Sequence, residues 1–238
     1  CMVFARSAAM AFNRWADYRF DAMNPRTVVR EIPSGKISRS QALIFVIASS
    51  LLFIISAAFL NRLTLILSPV ALLVVLGYSY TKRFTPLCHL VLGLGLSLAP
   101  TGAYIAVTGS FALLPVIYSF IVLTWVSGFD IIYSLQDDQF DRDTGLYSIP
   151  AMMSRGKALA VSIALHAVTF TLVVVAGITG SAGFIYWTGA AIFTAMLIYQ
   201  HIIVKPDDLS RVDMAFGTTN GIAGVIYGLA VVLDLLLL

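Results

Sequence analysis

The sequence predicts an all-α protein that crosses a lipid bilayer many times, and three observations carry that reading. Of 238 residues, 59% are hydrophobic and 11% charged, with mean hydropathy +0.92. Soluble domains run about 45–50% apolar and about 25% charged, and a single core of this size cannot hide such an excess of apolar surface from water. The apolar residues also fall in continuous runs close to the ~20 residues that a helix needs to cross ~30 Å of hydrocarbon. The runs lack the ten-residue alternation of a membrane barrel. These observations exclude a soluble enzyme, a disordered chain and a nucleic-acid binder, although the pI is about 8.9. Cys1 and Cys88 are too few for a disulfide framework or a Cys-based zinc site.

Taken in order, spans are expected over 41–60, 63–79, 87–107, 111–129, 158–178, 182–204 and 214–238, free of Lys, Arg, Asp and Glu apart from Asp234. The start differs, because apolar residues 1–12 pass into a polar stretch over 13–21. Twelve helical residues rise only about 18 Å, and the basic end and cleavage site of a signal peptide are missing. Residues 1–12 are therefore expected to be the later part of a helix, in a fragment lacking at least one upstream helix.

The charges set the orientation. Arg26, Arg30, Lys36 and Arg39, then Lys82 and Arg83, then Arg142, Arg155 and Lys157, then Lys205 and Arg211 all fall on one side; the other side has Arg62. Basic residues in short loops stay cytoplasmic, so the charged face is expected to be the cytoplasmic one. Eleven of the twelve Asp and Glu share that face, with Asp234 the exception. The topology rule does not require acids there. Their gathering points to a site.

Two acidic clusters stand out. Asn13, Asp17 and Asp21 are spaced i, i+4, i+8, which puts them on one helical stripe. Asp130, Tyr133 or Ser134, Asp137 and Asp141 form a second stripe, with Asp138 and Asp143 off it and expected to be solvated. Stripes of like charge at membrane depth are costly without cations. Asp17 to Asp137 and Asp21 to Asp141 are each 120 residues, and each cluster is followed by Ile-Pro (Ile32-Pro33, Ile149-Pro150) and a new span. This predicts one membrane domain over 1–238 made of two pseudo-repeats, about 1–107 and 111–238, with the site between them. Paired oxygen ligands suit Mg²⁺ together with substrate phosphates. His89, His166 and His201 lie outside both clusters. Arg26, Arg30, Lys82 and Arg83 have two readings, phosphate ligands or plain topology signals.

Asn13-x-x-x-Asp17-x-x-x-Asp21, Asn24-Pro25-Arg26-Thr27 and Arg30-Glu31-Ile32-Pro33 resemble the first signature of the UbiA superfamily of intramembrane aromatic prenyltransferases. Tyr78-Ser-Tyr80-Thr-Lys82-Arg83 and Asp130-x-x-Tyr133-x-x-x-Asp137-x-x-x-Asp141 resemble its later segments, in the right order. The wording is most similar to the 4-hydroxybenzoate-like branch, which includes enzymes that prenylate dihydroxynaphthoate; Arg14 stands where many members have Asp. The resemblance implies a nine-helix fold of which this chain lacks the first, and transfer of a polyprenyl chain from its diphosphate to an aromatic ring in quinone synthesis. It implies that Asp17 and Asp21, assisted by Asn13, hold one Mg²⁺ and that Asp137 and Asp141 hold another. Arg26, Arg30, Lys82 and Arg83 are then expected at the diphosphate. Asp130 would orient or deprotonate the acceptor, or support the second ion through Tyr133. The expected setting is a bacterial inner membrane with lipid on all sides, no nucleic acid, and the site on the cytoplasmic face. Tyr186, Trp187 and Tyr199 are expected to be interfacial anchors. A cation-coupled transporter predicts acids near the bilayer midplane instead, and a non-catalytic scaffold of the same fold predicts no turnover.

Overall fold

The computed structural model describes residues 1–237. Its helices, in chain order, are α1 (Met2–Ala16), α2 (Tyr18–Met23), α3 (Arg39–Ala58), α4 (Arg62–Thr81), α5 (Cys88–Thr108), α6 (Leu113–Ser134), α7 (Asp138–Thr144), α8 (Ile149–Met152), α9 (Arg155–Thr179), α10 (Phe184–Ile203) and α11 (Asn220–Leu237). The one β-type pairing among the described residues is a bridge between Lys205 and Asp208. Six helical segments are long and apolar enough to cross a membrane: Arg39–Ala58, Arg62–Thr81, Cys88–Thr108, Leu113–Thr144, Arg155–Thr179 and Met214–Leu237. The seventh expected span is the 20-residue α10, whose Tyr186, Trp187, Gln200 and His201 leave it less apolar than the six. Exposed Ile44, Phe45, Ile47 and Leu51 on α3, and Ile66, Val70 and Leu73 on α4, form faces suited to lipid rather than water.

Local chemistry sets the helix ends. Ser38 opens α3 with a reciprocal capping box, its Oγ accepting from Gln41 N and its own N–H donating to Gln41 Oε1. Asn61 serves two helices at once. Its Oδ1 accepts from Thr64 N at 2.9 Å to start α4, while its Nδ2 donates to the carbonyls of Ile105 and Ala106 near the end of α5. Gly109 then ends α5 in the left-handed region at φ +69°.

The helices form two groups joined where α5 packs along α6: α1, α3, α4 and α5 on one side, α6, α9, α10 and α11 on the other. Small residues permit close crossing, as lipid-embedded helices require. A Cβ on Gly189 would collide with Ala230, and one on Gly93 with Ser127 and the Leu123 backbone. Ile117, Ile121, Val173, Phe193, Leu197 and Tyr227 fill the second group. Ile131, Ile132, Leu135, Ile149, Leu159, Val204 and Val212 close it beneath the charged face.

Asp234, the acid away from that face, has a structural partner. It is 4% exposed and accepts from Gly183 N at 2.7 Å and Tyr186 N at 3.1 Å, capping α10 from the neighbouring α11. Tyr186 is not an interfacial anchor as expected. It is 2% exposed, and its hydroxyl donates to Val173 O and meets Tyr227 Oη at 2.9 Å. Trp187 and Tyr199 do lie at the surface. His166 and His201, remote in sequence, meet at 2.7 Å in the second helix group.

Two substitutions test these joints. Asp234→Ala leaves two buried N–H donors unpaired and is expected to cost about 1.5–3 kcal/mol. Asn61→Ala is expected to cost about 1–2 kcal/mol. Both should appear as lowered thermal midpoints of the detergent-purified protein; an unchanged midpoint contradicts the assigned caps.

Candidate active site

The first acidic cluster lies where α1 gives way to α2. The backbone breaks at Asp17 (φ −89°, ψ 6°), yet the helical ladder continues, with Asp17 N donating to Asn13 O at 2.9 Å and Asp21 N to Asp17 O at 2.8 Å. The stripe therefore survives the kink, and Asn13 Nδ2 donates to Asp17 Oδ2 at 3.0 Å. The second cluster is not one continuous helix. A 3₁₀ turn over Leu135–Asp137 separates α6 from α7, and its tighter winding changes which acids face inward. Asp138, expected to be solvated, is 2% exposed and accepts from both Arg155 and Arg142. That trio fixes α7 against the start of α9. Asp143 is exposed, as expected.

Every cation assigned to the diphosphate rests on a carboxylate assigned to metal. Arg26 grips Asp137 through two guanidinium nitrogens, Nε to Oδ1 at 3.0 Å and Nη2 to Oδ2. Its Nη1 donates to Tyr133 Oη at 2.7 Å. Arg30 meets Asp21 at 2.6 Å, Lys82 meets Asp141 at 2.7 Å and Arg83 meets Asp17 at 3.4 Å. Asp141 is 0% and Asp21 7% exposed, while Lys82 is 34% exposed, so the acids lie beneath and the cations above. Arg83 also donates to Ala16 O at 2.7 Å, which caps the end of α1. This gives Arg83 a bracing role that neither earlier reading of it included.

The connecting loops complete the arrangement. Asn24 Nδ2 donates to Asp137 Oδ1 at 3.0 Å, and Asn24 Oδ1 accepts from Arg26 N. Ser148 Oγ donates to Asp141 Oδ2 at 2.8 Å, and Tyr147 N donates to Lys82 O at 2.7 Å. Burial opposes the charge of Arg26, but Asp137 more than offsets it and raises its pKa. Burial raises the pKa of Asp17, against the lowering by Arg83. Asp17 is thus a carboxylate whose charge lacks full compensation.

One pocket of about 200 Å³ collects the entire expected set: Asn13, Asp17, Asp21, Arg26, Arg30, Lys82, Arg83, Asp130, Tyr133, Asp137 and Asp141. Sequence reasoning passed over three neighbours. Asn24 stood inside a quoted motif without a role, Ser148 follows the second cluster, and His89 also lines the pocket. At its deeper end His89 Nδ1 lies 2.6 Å from Asp130 Oδ2. Tyr133 stacks on Phe216, with centroids 4.0 Å apart. Phe216, Phe129 and Trp125 continue as an aromatic row away from the pocket.

These donors fit a hard divalent cation. Five carboxylates line the pocket beside the cations Arg26, Arg30, Lys82 and Arg83 and one histidine, His89. Asp21 Oδ2 is buried with no hydrogen-bond partner. No three His, Cys, Asp or Glu side chains converge on one point among the described residues. An ion here would take part of its shell from water or substrate phosphate, which is the habit of Mg²⁺.

The UbiA prenyltransferase family model matches residues 1–223. A 4-hydroxybenzoate octaprenyltransferase of Nitrosospira multiformis is 30% identical over 237 residues, 98% of this chain and 80% of that protein. One from Aliivibrio salmonicida is 30% identical over 227 residues, 95% and 79% of the two chains. Among solved structures, an apo UbiA homologue from Aeropyrum pernix K1 matches with TM-score 0.89 at 36% identity, covering 98% of this chain and 86% of that one. A UbiA homologue from Archaeoglobus fulgidus, solved with GPP and Mg²⁺, shares the fold at TM-score 0.71 and 18% identity, covering 96% and 83%. On the family match alone, which takes in nearly the whole length, this chain belongs to the UbiA prenyltransferase family.

Proposed function

We propose that this prenyltransferase moves a polyprenyl group from its diphosphate to a hydroxylated aromatic acid of the 4-hydroxybenzoate or dihydroxynaphthoate kind, in quinone synthesis. The cofactor is Mg²⁺, and the site faces the cytoplasm from a bacterial inner membrane. One observation carries the reading: four cations and four acids from separate segments pair off around a single pocket. Basic groups there are matched to acids until a more highly charged guest displaces them.

Asp17 and Asp21, with Asn13, would hold one Mg²⁺, and Asp137 and Asp141 the other. When bound, the ions supply Lewis acidity and neutralise charge on the departing diphosphate. The protein's own groups do the rest. Arg26 and Arg30 offer planar forks to phosphate oxygens, and Lys82 adds a point charge. Tyr133 keeps Arg26 aimed by its hydrogen bond and by its ring, 5.1 Å from the guanidinium carbon. The C–O bond to the allylic carbon breaks with its electron pair on the diphosphate. The electron-rich ring carbon then forms the new C–C bond. Buried helices exclude water that would otherwise trap the allyl cation, and the faces of Tyr133 and Phe216 border the route.

The pseudo-repeat belongs to the same proposal. Shifted by 120 residues, α1, α3 and α4 fall on α6, α9 and α10, and α5 falls on the stretch leading into and through α11. The contacts α1 with α3, α3 with α4 and α4 with α5 have counterparts in α6 with α9, α9 with α10 and α10 with α11. This supports two copies of one motif, each contributing one acidic pair.

In proteoliposomes with Mg²⁺, a polyprenyl diphosphate and candidate aromatic acids, Asp17→Ala and Asp137→Ala should each lower prenyl transfer on the order of 10²–10³-fold. Added Mg²⁺ should not restore either. Wild-type turnover in both variants would end the metal assignment. Tyr133→Phe should raise the KM for the donor roughly fivefold, the worth of about 1 kcal/mol; an unchanged donor KM removes Tyr133 from the aiming of Arg26.

A further inference from the structure

We infer that Phe216, carried on a π-helical turn at the head of α11, is a positioning residue that holds Tyr133 so that its hydroxyl meets Arg26. The inference rests on the prenyl-transfer reading above, in which Arg26 binds the donor diphosphate. It extends the donor site to a segment that lends it no charged group. Phe216 is not among the residues that line the pocket, none of which lies beyond Leu146 in the chain. Its reach into the pocket is through Tyr133.

The turn spans Met214–Thr219 and runs directly into α11. Such winding is rare and, where it occurs, is most often a single turn at a functional site. Side chains hold it in place. Asn220 Nδ2 donates to Ala215 O at 2.9 Å and to Gln200 Oε1 at 3.2 Å, while Asn220 Oδ1 accepts from Trp125 Nε1 at 3.0 Å. Thr219 Oγ1 donates to Met214 O at 3.1 Å. Asn220, Gln200 and Thr219 are all buried, where an unmade hydrogen bond is costly. These bonds tie the turn to α6 through Trp125 and to α10 through Gln200, so it cannot rewind without breaking them.

The turn delivers one ring to α6. Phe216 stacks on Tyr133 with centroids 4.0 Å apart and planes 26° apart, and meets Phe129 edge-on at 5.5 Å and 72°. Phe129 and Tyr133 are spaced i, i+4 on α6, so a single ring packs against both. Tyr133 in turn accepts from Arg26 Nη1 at 2.7 Å, and its ring centre lies 5.1 Å from the guanidinium carbon. Arg26 then holds Asp137. The contacts thus run unbroken from Asn220 through the turn to Phe216, Tyr133, Arg26 and Asp137.

A flat ring does here what other apolar side chains do not. The place of a tyrosine hydroxyl depends on χ1 and χ2 of its own side chain. An aromatic face laid against the ring limits both, and a stack of this kind has a preferred geometry beyond the apolar area it buries. A leucine at 216 would fill space between α6 and the turn but leave the Tyr133 ring free to tilt. The hydroxyl would then meet Arg26 for only part of the time, and the guanidinium would be less well aimed at the phosphate. The loss falls on donor binding, because Arg26 is the group that Tyr133 aims.

The test uses the purified full-length protein with Mg²⁺, a polyprenyl diphosphate and hydroxylated aromatic acids. Phe216→Leu should raise the donor KM about fivefold while kcat and the acceptor KM stay within about twofold of wild type. Phe216→Tyr, which keeps the ring, should recover most of that loss. In a Tyr133→Phe background the hydroxyl is already absent, so Phe216→Leu should add less than about twofold to the donor KM. The full rise in that background means that Phe216 acts on the donor directly, and it overturns the positioning role. An unchanged donor KM in Phe216→Leu, or an equal rise in the acceptor KM, overturns it as well. An unchanged donor KM in Tyr133→Phe does the same, because Phe216 then has no hydroxyl to aim. Thermal midpoints report folding, and Phe216→Met repeats the test if the leucine variant does not fold. Failure of both to fold places the ring in the fold alone, against the inference. If wild-type protein prenylates none of the acids, the prenyl-transfer reading itself fails, which is distinct from an active enzyme whose donor KM ignores Phe216.

Discussion

The structure depends on keeping a cluster of carboxylates ionised at the edge of a low-dielectric medium. An isolated buried charge costs several kcal/mol even after relaxation, and it persists only with a close partner. Asp21, Asp137 and Asp141 are each buried or nearly so, and each finds its cation on another part of the chain. Arg26 and Asp137 are 111 residues apart, and Lys82 and Asp141 join the end of α4 to α7. The pairs tie the two helix groups together at the charged face. Fold and site therefore share the same bonds.

Sharing bonds has a consequence for how the pocket receives its ligands. Removing one member of a buried pair is far worse than replacing both, because the remaining charge is stranded. Under the prenyl-transfer reading, Asp17, Asp21, Asp137 and Asp141 would hold the metal ions, and Arg26, Arg30, Lys82 and Arg83 would find new partners on the diphosphate. Neither exchange leaves a charge alone if both occur. The concentration of carboxylates around the pocket fits this, since bound metal ions would add positive charge beside them.

The spans were legible because lipid imposes a simple rule, continuous apolar residues over a helix length. α10 met that rule least well, since Gln200 and His201 face partners inside the bundle that hydropathy does not register: Asn220 donates to Gln200 Oε1, and His166 meets His201. The acidic stripes were legible from spacing, and the pocket collects every residue assigned to them. The exceptions have two causes. A 3₁₀ turn within an apolar-then-acidic stretch has no spacing signature, so Asp138 read as solvated when it is turned inward to Arg155. His89 sits 41 residues from Asp130, and Asp234 caps α10 through Gly183, 51 residues upstream. Pairing at such distances depends on which helices become neighbours, and periodicity along one helix does not carry that information.

The same distinction separates the two ends of the pocket. At the rim, charges answer charges, and each pair is open to exchange with a highly charged ligand. At the deeper end, the α5–α6 contact brings Asp130 against the imidazole of His89, whose other nitrogen lies 3.3 Å from the backbone N of Ile149. That hydrogen bond fixes the acid's orientation at the contact between the two helix groups. The rim pairs join loops and helix ends, whereas this pair joins two packed helices. One pocket therefore holds acids of two kinds, four paired with Arg or Lys and one with His, while using only aspartate for each.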